Sequence, residues 1–321
     1  MNIPLIIIAI LSLAIFLLEI ALRFIFGFGN PLLYIADDQI GYLLAPNQKI
    51  RRYRNQIEIN EYSMRSATCQ LNRPDGMLRI LLLGDSIANG GWWTDQNQTI
   101  SQHIAHQLLP NLNKKSYLIY KEIEVLNASA NSWGPRNELA YLQKFGDFNA
   151  QIIVLLINTD DLFAPRPTSL PVGRDRNYPN RKPPFALVEL FTRYILPAPF
   201  LPELTGKNSE EGDRVTNNLK AIYQIQEIVK QKQHKFILAL TPLLRETCKN
   251  GPRDYEIQTR DRLKEFAETE KIIYLDFLPI FQATNQPERI YRDQIHLNAE
   301  GNQLVSKKIS DRIQEILDIP T

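Results

Sequence analysis

Short apolar runs recur along the chain from residue 79 onward, and each is bounded by turn or helical sequence. They are rich in Ile, Leu and Val without polar alternation, which predicts strands buried on both faces. The runs lie at residues 79–83, 123–127, 152–157, 236–240 and 272–275. Helical patterns occur between or after them, at residues 99–109, 136–144, 217–232, 253–269 and 299–317. Strands that alternate with helices predict an α/β fold with a doubly wound, mostly parallel five-stranded sheet.

The N-terminus has a different pattern, because residues 3–18 carry no charge and the apolar character resumes after Glu19 as far as Leu22. About 20 residues make roughly 30 Å of helix, enough to cross a bilayer. No basic residue precedes the run and no small-x-small cleavage site follows it, so we expect an uncleaved anchor rather than a signal peptide. A buried core helix is the alternative. Arg23 weakly favours a cytoplasmic domain, which leaves the side of the membrane open.

A collar is predicted between the apolar N-terminus and the first strand of the sheet. Residues 28–78 mix turn residues with short alternating stretches, in which Ile50, Tyr53, Ile57 and Ile59 are expected to face inward.

A proline-rich insertion at about residues 164–217 interrupts the alternation of strands and helices, with one helix predicted at residues 185–194. It follows the carboxyl end of the third strand, where open α/β sheets bind ligands, so we expect a substrate-facing cap. A decorative insertion, or a surface that packs on the membrane, is the alternative. The chain therefore divides into an anchor at 1–27, a collar at 28–78 and an α/β domain at 79–321 that contains the insertion.

Composition narrows the classes of function. The 321 residues carry a formal net charge of +2 with mixed signs, and no basic stripe indicates nucleic-acid binding. Cys69 and Cys248 could form one bridge or none. No metal is expected, because His103 and His106 lack a further ligand nearby. No cofactor is expected either, since no glycine-rich phosphate loop follows the first strand.

Candidate chemistry lies at two distant places in the chain. Ser86 follows the first strand of the sheet in a Gly-Asp-Ser turn, and Asp293 precedes His296 by three residues. A serine hydroxyl needs a base to take its proton, and an imidazole needs a third group to fix its tautomer. Ser86 is therefore the candidate nucleophile, His296 the base, and Asp293 the group that orients the base.

Two segments, ILLLGDSIANG and DQIHLNAEG, together resemble the SGNH, or GDSL-like, hydrolase family over roughly residues 79–317. The preceding INEYSMRS is similar to a segment of some membrane-anchored bacterial members. The resemblance implies a flavodoxin-like fold and a serine esterase that works through an acyl-enzyme. It also implies that the backbone N–H of Ser86 donates to the oxyanion.

Two positions depart from the family pattern around the oxyanion. In NASANSWG, Ser132 stands where a glycine is expected, and Gly134 follows two residues later. In LLINTDDLF, Asp160 stands where the family has an asparagine whose amide donates to the oxyanion. An ionised carboxylate only accepts hydrogen bonds, and the loss of one donor costs about 2.7 to 4 kcal/mol. Three interpretations remain open: a protonated Asp160, replacement by Asn158, or a weak or inactive hydrolase.

The predicted partner is an ester-bearing substrate, either an O-acylated polysaccharide, a lipid or a small ester, with the membrane contacted through the N-terminal helix. Acyl transfer onto a cell-envelope polymer uses the same residues and is one alternative. A non-catalytic binding or assembly protein that kept the fold is another. Trp92 and Trp93 are predicted either to line the substrate site or to pack in the core.

Overall fold

The computed structural model of the protein describes residues 3–112, 120–197, 199, 201, 210 and 212–317. Its first element, α1 (Ile3–Ala21), has no buried residue and continues into a π-helical turn, Leu22–Phe26. The apolar segment Ile3–Phe26 has a mean hydropathy of 3.0 and is long enough to cross a membrane. Only 6% of its most apolar window is buried, so the helix does not belong to the core of the domain.

The collar consists of two antiparallel hairpins rather than a continuous extended segment. The first pairs β1 (Tyr34–Asp37) with β2 (Gly41–Leu44), and the second pairs β3 (Gln48–Arg52) with β4 (Asn55–Ile59).

The inward positions predicted in the second hairpin are largely found. Ile50, Ile57 and Ile59 are buried. Tyr53 lies instead in the turn of the hairpin with a positive φ of 46°, where it is half-buried against the ring of Trp92 at 4.8 Å. The inward face of β3 therefore ends at Arg52, one residue before the predicted inward position at Tyr53.

The main sheet confirms the predicted α/β fold. Its five strands are β5 (Met77–Gly84), β6 (Glu122–Ser129), β7 (Ile152–Asn158), β8 (Lys235–Thr241) and β9 (Ile273–Asp276). They lie in the order β6-β5-β7-β8-β9, and every neighbouring pair is parallel. Because Gly84 of β5 pairs with Ser129 of β6 and Leu156 of β7, the carboxyl ends of the three strands meet at one edge.

The helices after α1 connect and cover these strands. They are α2 (Ser86–Asn89), α3 (Ile100–Leu112), α4 (Pro135–Phe145), α5 (Ala186–Leu190), α6 (Arg214–Gln231), α7 (Leu244–Thr247), α8 (Asp254–Thr269), α9 (Leu278–Gln282) and α10 (Ala299–Ile316). A π-helical turn, Phe191–Ile195, extends α5, and 3-10 turns lie at Gln96–Gln98, Thr159–Phe163 and Pro287–Ile290. The five helices predicted between the strands are all found, with ends within a few residues of the expected positions.

The hydrophobic core has two layers, one on each face of the sheet. Along β5, Leu81 and Leu83 point into one layer, whereas Ile80 and Leu82 point into the other. The first layer also contains Tyr34 and other collar residues. The collar is therefore part of the folded core rather than a linker to the anchor.

A buried ion pair joins the collar to the insertion. Arg52, the last residue of β3, pairs with Glu189 on α5, and each side chain is 5% exposed. Glu189 also accepts a hydrogen bond of 2.7 Å from the backbone N–H of Gly29. The insertion is thereby joined to the collar through residues 164–197, while residues 198, 200, 202–209 and 211 lie outside the described part.

We expect Glu189→Gln to lower the free energy of unfolding by about 3 to 5 kcal/mol, because it leaves the Arg52 charge buried without its partner. The matched control is Glu58→Gln, which removes the partner of the exposed Lys49 and should cost less than about 1 kcal/mol. Urea unfolding of the full chain in detergent, followed by tryptophan fluorescence, measures both. Equal losses in the two variants would show that the buried Arg52–Glu189 pair contributes no more to stability than an exposed pair does.

Candidate active site

Ser86 lies at the carboxyl edge of the sheet, as the first residue of α2. The turn that places it needs Gly84, because an added Cβ would come within 2.5 Å of the carbonyl oxygen of Leu156 on the neighbouring strand. Asp85 caps α2 by accepting a hydrogen bond of 2.8 Å from the N–H of Ile87. The hydroxyl of Ser86 is thereby held at the sheet edge, and the residue is 9% exposed.

The loop before α10 brings Asp293 and His296 to the same edge. Nε2 of His296 lies 3.0 Å from Oγ of Ser86, and Nδ1 lies 2.9 Å from Oδ2 of Asp293. Asp293 also accepts from the backbone N–H groups of Ile295, at 3.0 Å, and His296, at 2.8 Å. The structure thus brings Ser86 together with His296, 210 positions away in the chain, and with Asp293 beside it.

The electrostatics at Asp293 favour an ionised carboxylate. Burial acts to raise its pKa, but the hydrogen bonds from the backbone of His296 and Ile295, together with the imidazole, outweigh burial and hold the pKa below its usual value. An ionised Asp293 accepts a hydrogen bond from the N–H at Nδ1 of His296, and this tautomer leaves the lone pair of Nε2 directed at Ser86.

Asn158, at the end of β7, has its amide committed to two carboxyl groups. Its Nδ2 donates to Asp85 at 2.8 Å and to Asp161 at 3.0 Å, while its Oδ1 accepts from the N–H of Asp160 at 2.7 Å. The side chain of Asp160 is exposed. Neither residue is among the described residues that line the cavity next to Ser86.

Three buried carboxyl groups lie behind the serine. Burial raises the pKa of Asp85, of Asp161 and of Glu138, and the charge of Asp85 raises the pKa of the other two further. Asp85 also accepts from the hydroxyl of Ser86 at 3.3 Å, a longer contact than the one from Ser86 to His296. Both carboxyl oxygens of Glu138 lack a hydrogen-bond partner among the described residues.

The two candidates for a backbone oxyanion donor after β6 differ in their surroundings. Ser132 lines the same cavity as Ser86 and has a left-handed backbone with φ of 59°, the conformation that a glycine adopts most easily. The N–H of Gly134 donates instead to Oδ1 of Asn137 at 3.1 Å, at the start of α4. Of these two residues, Ser132 is therefore the one that shares a cavity with Ser86.

The cavity beside Ser86 has a volume of about 260 Å³. Its walls come from the collar, the loop after Ser86, the segment after β6, the cap and the loop of His296. The lining residues are Pro31, Leu32, Tyr34, Ile50, Arg52, Ser86, Gly91, Trp92, Trp93, Asn131, Ser132, Asn177, Tyr178, Arg193 and His296. Both aromatic and cationic groups thus line the cavity together with Ser86.

Trp93, in the loop after Ser86, contacts His296. The ring of Trp93 lies 4.5 Å from the imidazole of His296, and the guanidinium of Arg292 lies 4.5 Å from the centre of the Trp93 ring. Trp92 and Trp93 both line the cavity, although Trp92 also packs against Tyr53. The contact between Arg292 and Trp93 was not predicted, although Arg292 directly precedes Asp293 in the chain.

Arg65 was also missed by the sequence analysis. Its buried guanidinium donates to the carbonyl oxygens of Asn89, at 2.6 Å, and Thr94, at 2.5 Å, and so holds both ends of the loop that carries the tryptophans. The available signal was the segment INEYSMRS, which contains this arginine and resembles the segment that precedes the first strand in some family members.

Within the described ranges, no group of three or more His, Cys, Asp or Glu residues is arranged to hold a metal ion. Cys69 is buried and Cys248 is exposed, and both are free thiols.

We expect Glu138→Gln to stabilise the protein increasingly as the pH rises above the ordinary pKa of a glutamate. The folded chain binds the Glu138 proton more tightly than the unfolded chain, so this carboxyl lowers the stability by about 1.4 kcal/mol per pH unit between its ordinary and its raised pKa. The variant lacks that penalty. Urea unfolding across the pH range measures the difference, with the exposed Glu265→Gln as the control. Parallel curves for Glu138→Gln and the wild type would contradict a raised pKa.

Comparisons with known proteins identify the family. The model of the GDSL-like Lipase/Acylhydrolase family matches residues 82–304, which include Ser86, Asp293 and His296. No curated protein sequence is significantly similar to this chain.

Solved structures of similar fold include the acetylxylan esterase Axe2 from Geobacillus stearothermophilus, at 14% identity over 74% of this chain and 94% of that one, with a TM-score of 0.48. The lipase/acylhydrolase from Enterococcus faecalis is 13% identical over 74% of this chain and 96% of that one, with a TM-score of 0.45. Because the family model covers more than half of the sequence, the assignment rests on that match. The chain belongs to the GDSL-like lipase/acylhydrolase family, within the SGNH hydrolase superfamily.

Proposed function

We propose that the protein is a serine esterase in which Ser86 is the nucleophile, His296 the general base and Asp293 the residue that orients the base. The observation that carries the proposal is the continuous chain of contacts from Oγ of Ser86 to Nε2 of His296 at 3.0 Å and from Nδ1 to Asp293 at 2.9 Å. Both distances lie within hydrogen-bond reach, as proton transfer requires.

In the proposed reaction, Oγ of Ser86 attacks the ester carbonyl carbon while its proton passes to Nε2 of His296. The tetrahedral intermediate collapses when the imidazolium returns that proton to the leaving alcohol, and the acyl group remains on Ser86. Water then attacks the acyl-enzyme, again losing its proton to His296, and the acid is released as Ser86 regains its hydrogen. Asp293 stabilises the imidazolium that forms in both halves.

The oxyanion donors in this proposal are the backbone N–H groups of Ser86 and Ser132. Asn158 is excluded from that role because its amide donates to Asp85 and Asp161. Asp160, whose side chain is exposed, takes no part. One donor fewer than the family pattern provides should lower the rate by about 10²- to 10³-fold, so we propose a slow rather than an inactive enzyme.

We further propose that Ile3–Phe26 anchors the domain to a membrane and that the substrate is an O-acylated polysaccharide. The length and hydropathy of the segment support the anchor. Tryptophan and tyrosine rings in the cavity supply flat faces for a sugar ring, and Arg52 and Arg193 line the same space. These groups suit a sugar better than a long acyl chain.

One observation favours acyl transfer as a second candidate function. Ser86 is only 9% exposed and the cap contributes Asn177, Tyr178 and Arg193 to the cavity wall, which limits the access of water to an acyl-enzyme. Release of p-nitrophenol and of acetate from p-nitrophenyl acetate, each measured with and without an added polysaccharide, separates the two. Release of p-nitrophenol in excess of acetate, only when the polysaccharide is present, indicates acyl transfer.

We expect a fluorophosphonate probe to label the wild-type full chain in detergent and to leave Ser86→Ala unlabelled, because only an activated serine reacts. His296→Ala should slow labelling by about 10²- to 10⁴-fold through the loss of the base. Asp293→Asn should give an intermediate rate. Labelling is measured by in-gel fluorescence over time.

The matched control is His234→Ala. His234 lies 3.3 Å from Asp147 in a similar pair, but before β8 at the opposite edge of the sheet, so labelling should be unchanged. A Ser86→Ala variant that still reacts would refute the assignment of the nucleophile. A folded wild type that does not react would favour the binding or assembly alternative.

We expect Trp93→Ala to lower kcat/KM for p-nitrophenyl acetate about 2- to 10-fold, because an aromatic contact of this kind is worth about 0.5 to 1.5 kcal/mol and here fixes the imidazole of His296. Trp93→Phe keeps a ring beside the imidazole and should retain most of the activity. Equal losses in both variants would indicate that the indole acts through the cavity volume rather than through His296.

A further inference from the structure

The cap is fixed to the end of the apolar N-terminal helix. The carboxylate of Glu19 on α1 accepts from the backbone N–H groups of Ala186, at 2.8 Å, and Leu187, at 3.0 Å, in the first turn of α5. Arg23 donates to the carbonyl oxygen of Pro184 at 3.1 Å and to Glu19 at 2.7 Å. Because Glu19 satisfies N–H groups that have no partner within α5, the cap helix begins directly on the side of α1.

This attachment sets the depth of the cap relative to a bilayer. A span that starts at Ile3 covers the roughly 30 Å hydrocarbon core in about 20 residues and therefore reaches the far boundary near Leu22. Glu19 lies about one helical turn inside that boundary. The start of α5 is consequently held at the level of the membrane interface.

The cap helix is amphipathic in the orientation that this position requires. Val188, Phe191 and Ile195 follow one another at intervals of three and four residues, so they form one stripe, and they are 37%, 50% and 59% exposed. Glu189 and Arg193 are also four residues apart, and they lie on the side that meets the collar. The polar side is buried against protein, whereas the three apolar side chains are exposed.

The exposed apolar surface extends from the cap to the end of the N-terminal segment. Phe185 and Leu196 flank the stripe and are 58% and 52% exposed, and Phe24 and Ile25 are 70% and 51% exposed. We define the apolar platform as Phe24, Ile25, Phe185, Val188, Phe191, Ile195 and Leu196. Tyr194, whose hydroxyl lies 3.0 Å from that of Tyr53, links this surface to the collar.

Basic side chains border the platform. Arg181 and Lys182 are exposed just before Phe185 and line a cavity of about 720 Å³ together with Thr192. Cationic groups beside an apolar helix face match the anionic headgroups and acyl boundary of a membrane surface.

We propose that the apolar platform inserts into the interface of the bilayer that the N-terminal segment spans. The proposal rests on the proposed anchor but not on the chemistry at Ser86. Its occupant is the lipid surface because the platform is continuous with the apolar segment and is held at its boundary by Glu19 and Arg23. An in-plane helix of this kind lies with its apolar face about 5 to 10 Å into the headgroup and acyl boundary.

The test places single cysteines in the full chain on a Cys248→Ser background, where the remaining Cys69 is buried. Phe191→Cys and Ile195→Cys report on the platform. Ile257→Cys, at a 44% exposed apolar position on α8, is the matched control, and Ile10→Cys reports on the anchor. Each variant is labelled with bimane and reconstituted into vesicles of phosphatidylcholine and phosphatidylglycerol.

The expected result is that nitroxides near the headgroup end of the acyl chain quench most of the bimane fluorescence at positions 191 and 195, and that aqueous iodide does not. The label at position 257 should show the reverse. Quenching by iodide at 191 and 195, with lipid quenching retained at position 10, would overturn the platform and leave the anchor standing. Iodide quenching at position 10 as well would overturn both.

A second copy of the chain is the other possible occupant, and the same samples detect it. Labels at positions 191 and 195 that are protected from iodide but not quenched by lipid nitroxides, and that lose protection when the protein is diluted in lipid, would assign the platform to a dimer and overturn the proposal.

Discussion

The buried ion pair between Arg52 and Glu189 is the interaction on which the candidate site depends. Arg52 ends a strand of the collar, and Glu189 belongs to the cap, so the pair closes a space that neither segment encloses alone. Arg52 lines the cavity beside Ser86, while Glu189 also binds the backbone of Gly29 and thus the chain that leaves the N-terminal helix. A charge pair with both side chains 5% exposed tolerates little displacement, because separation would leave the Arg52 charge buried without its carboxylate.

The parts that the sequence predicted well are those determined by local pattern. The strands of the main sheet are continuous apolar runs because both of their faces are buried. Ser86 and His296 each lie in a short segment that the sequence analysis recognised by its family pattern. Arg65 and Glu189 could not be placed in this way, since their partners are distant in the chain and any surface could have carried the same charges. Tyr53 was predicted to face inward as part of a strand, but the chain reverses at this residue in a turn that the apolar pattern did not reveal.

The hydrogen bonds of Asn158 offer a physical reason why Asp160 differs from the asparagine of the family pattern. The buried Asp85 and Asp161, which follow the neighbouring strands β5 and β7, repel each other when ionised, and an amide that donates to both carboxyls offsets part of the cost of burial. An asparagine used in this way has no N–H left for an oxyanion. In the proposed reaction, the exposed Asp160 then needs no function at Ser86, which accounts for an aspartate at that position.

The cap unites the cleft with the proposed membrane surface. Arg193 lines both the cavity beside Ser86 and the neighbouring cavity bordered by Arg181 and Lys182, and Pro31 is shared in the same way. A substrate that approaches along a bilayer would therefore meet basic side chains before it meets the serine. A cap seated in the interface would also lose conformational freedom, so the wall of the cleft would be ordered by the lipid that surrounds it. The proposed membrane contact would then contribute to the geometry of the site as well as to the location of the enzyme.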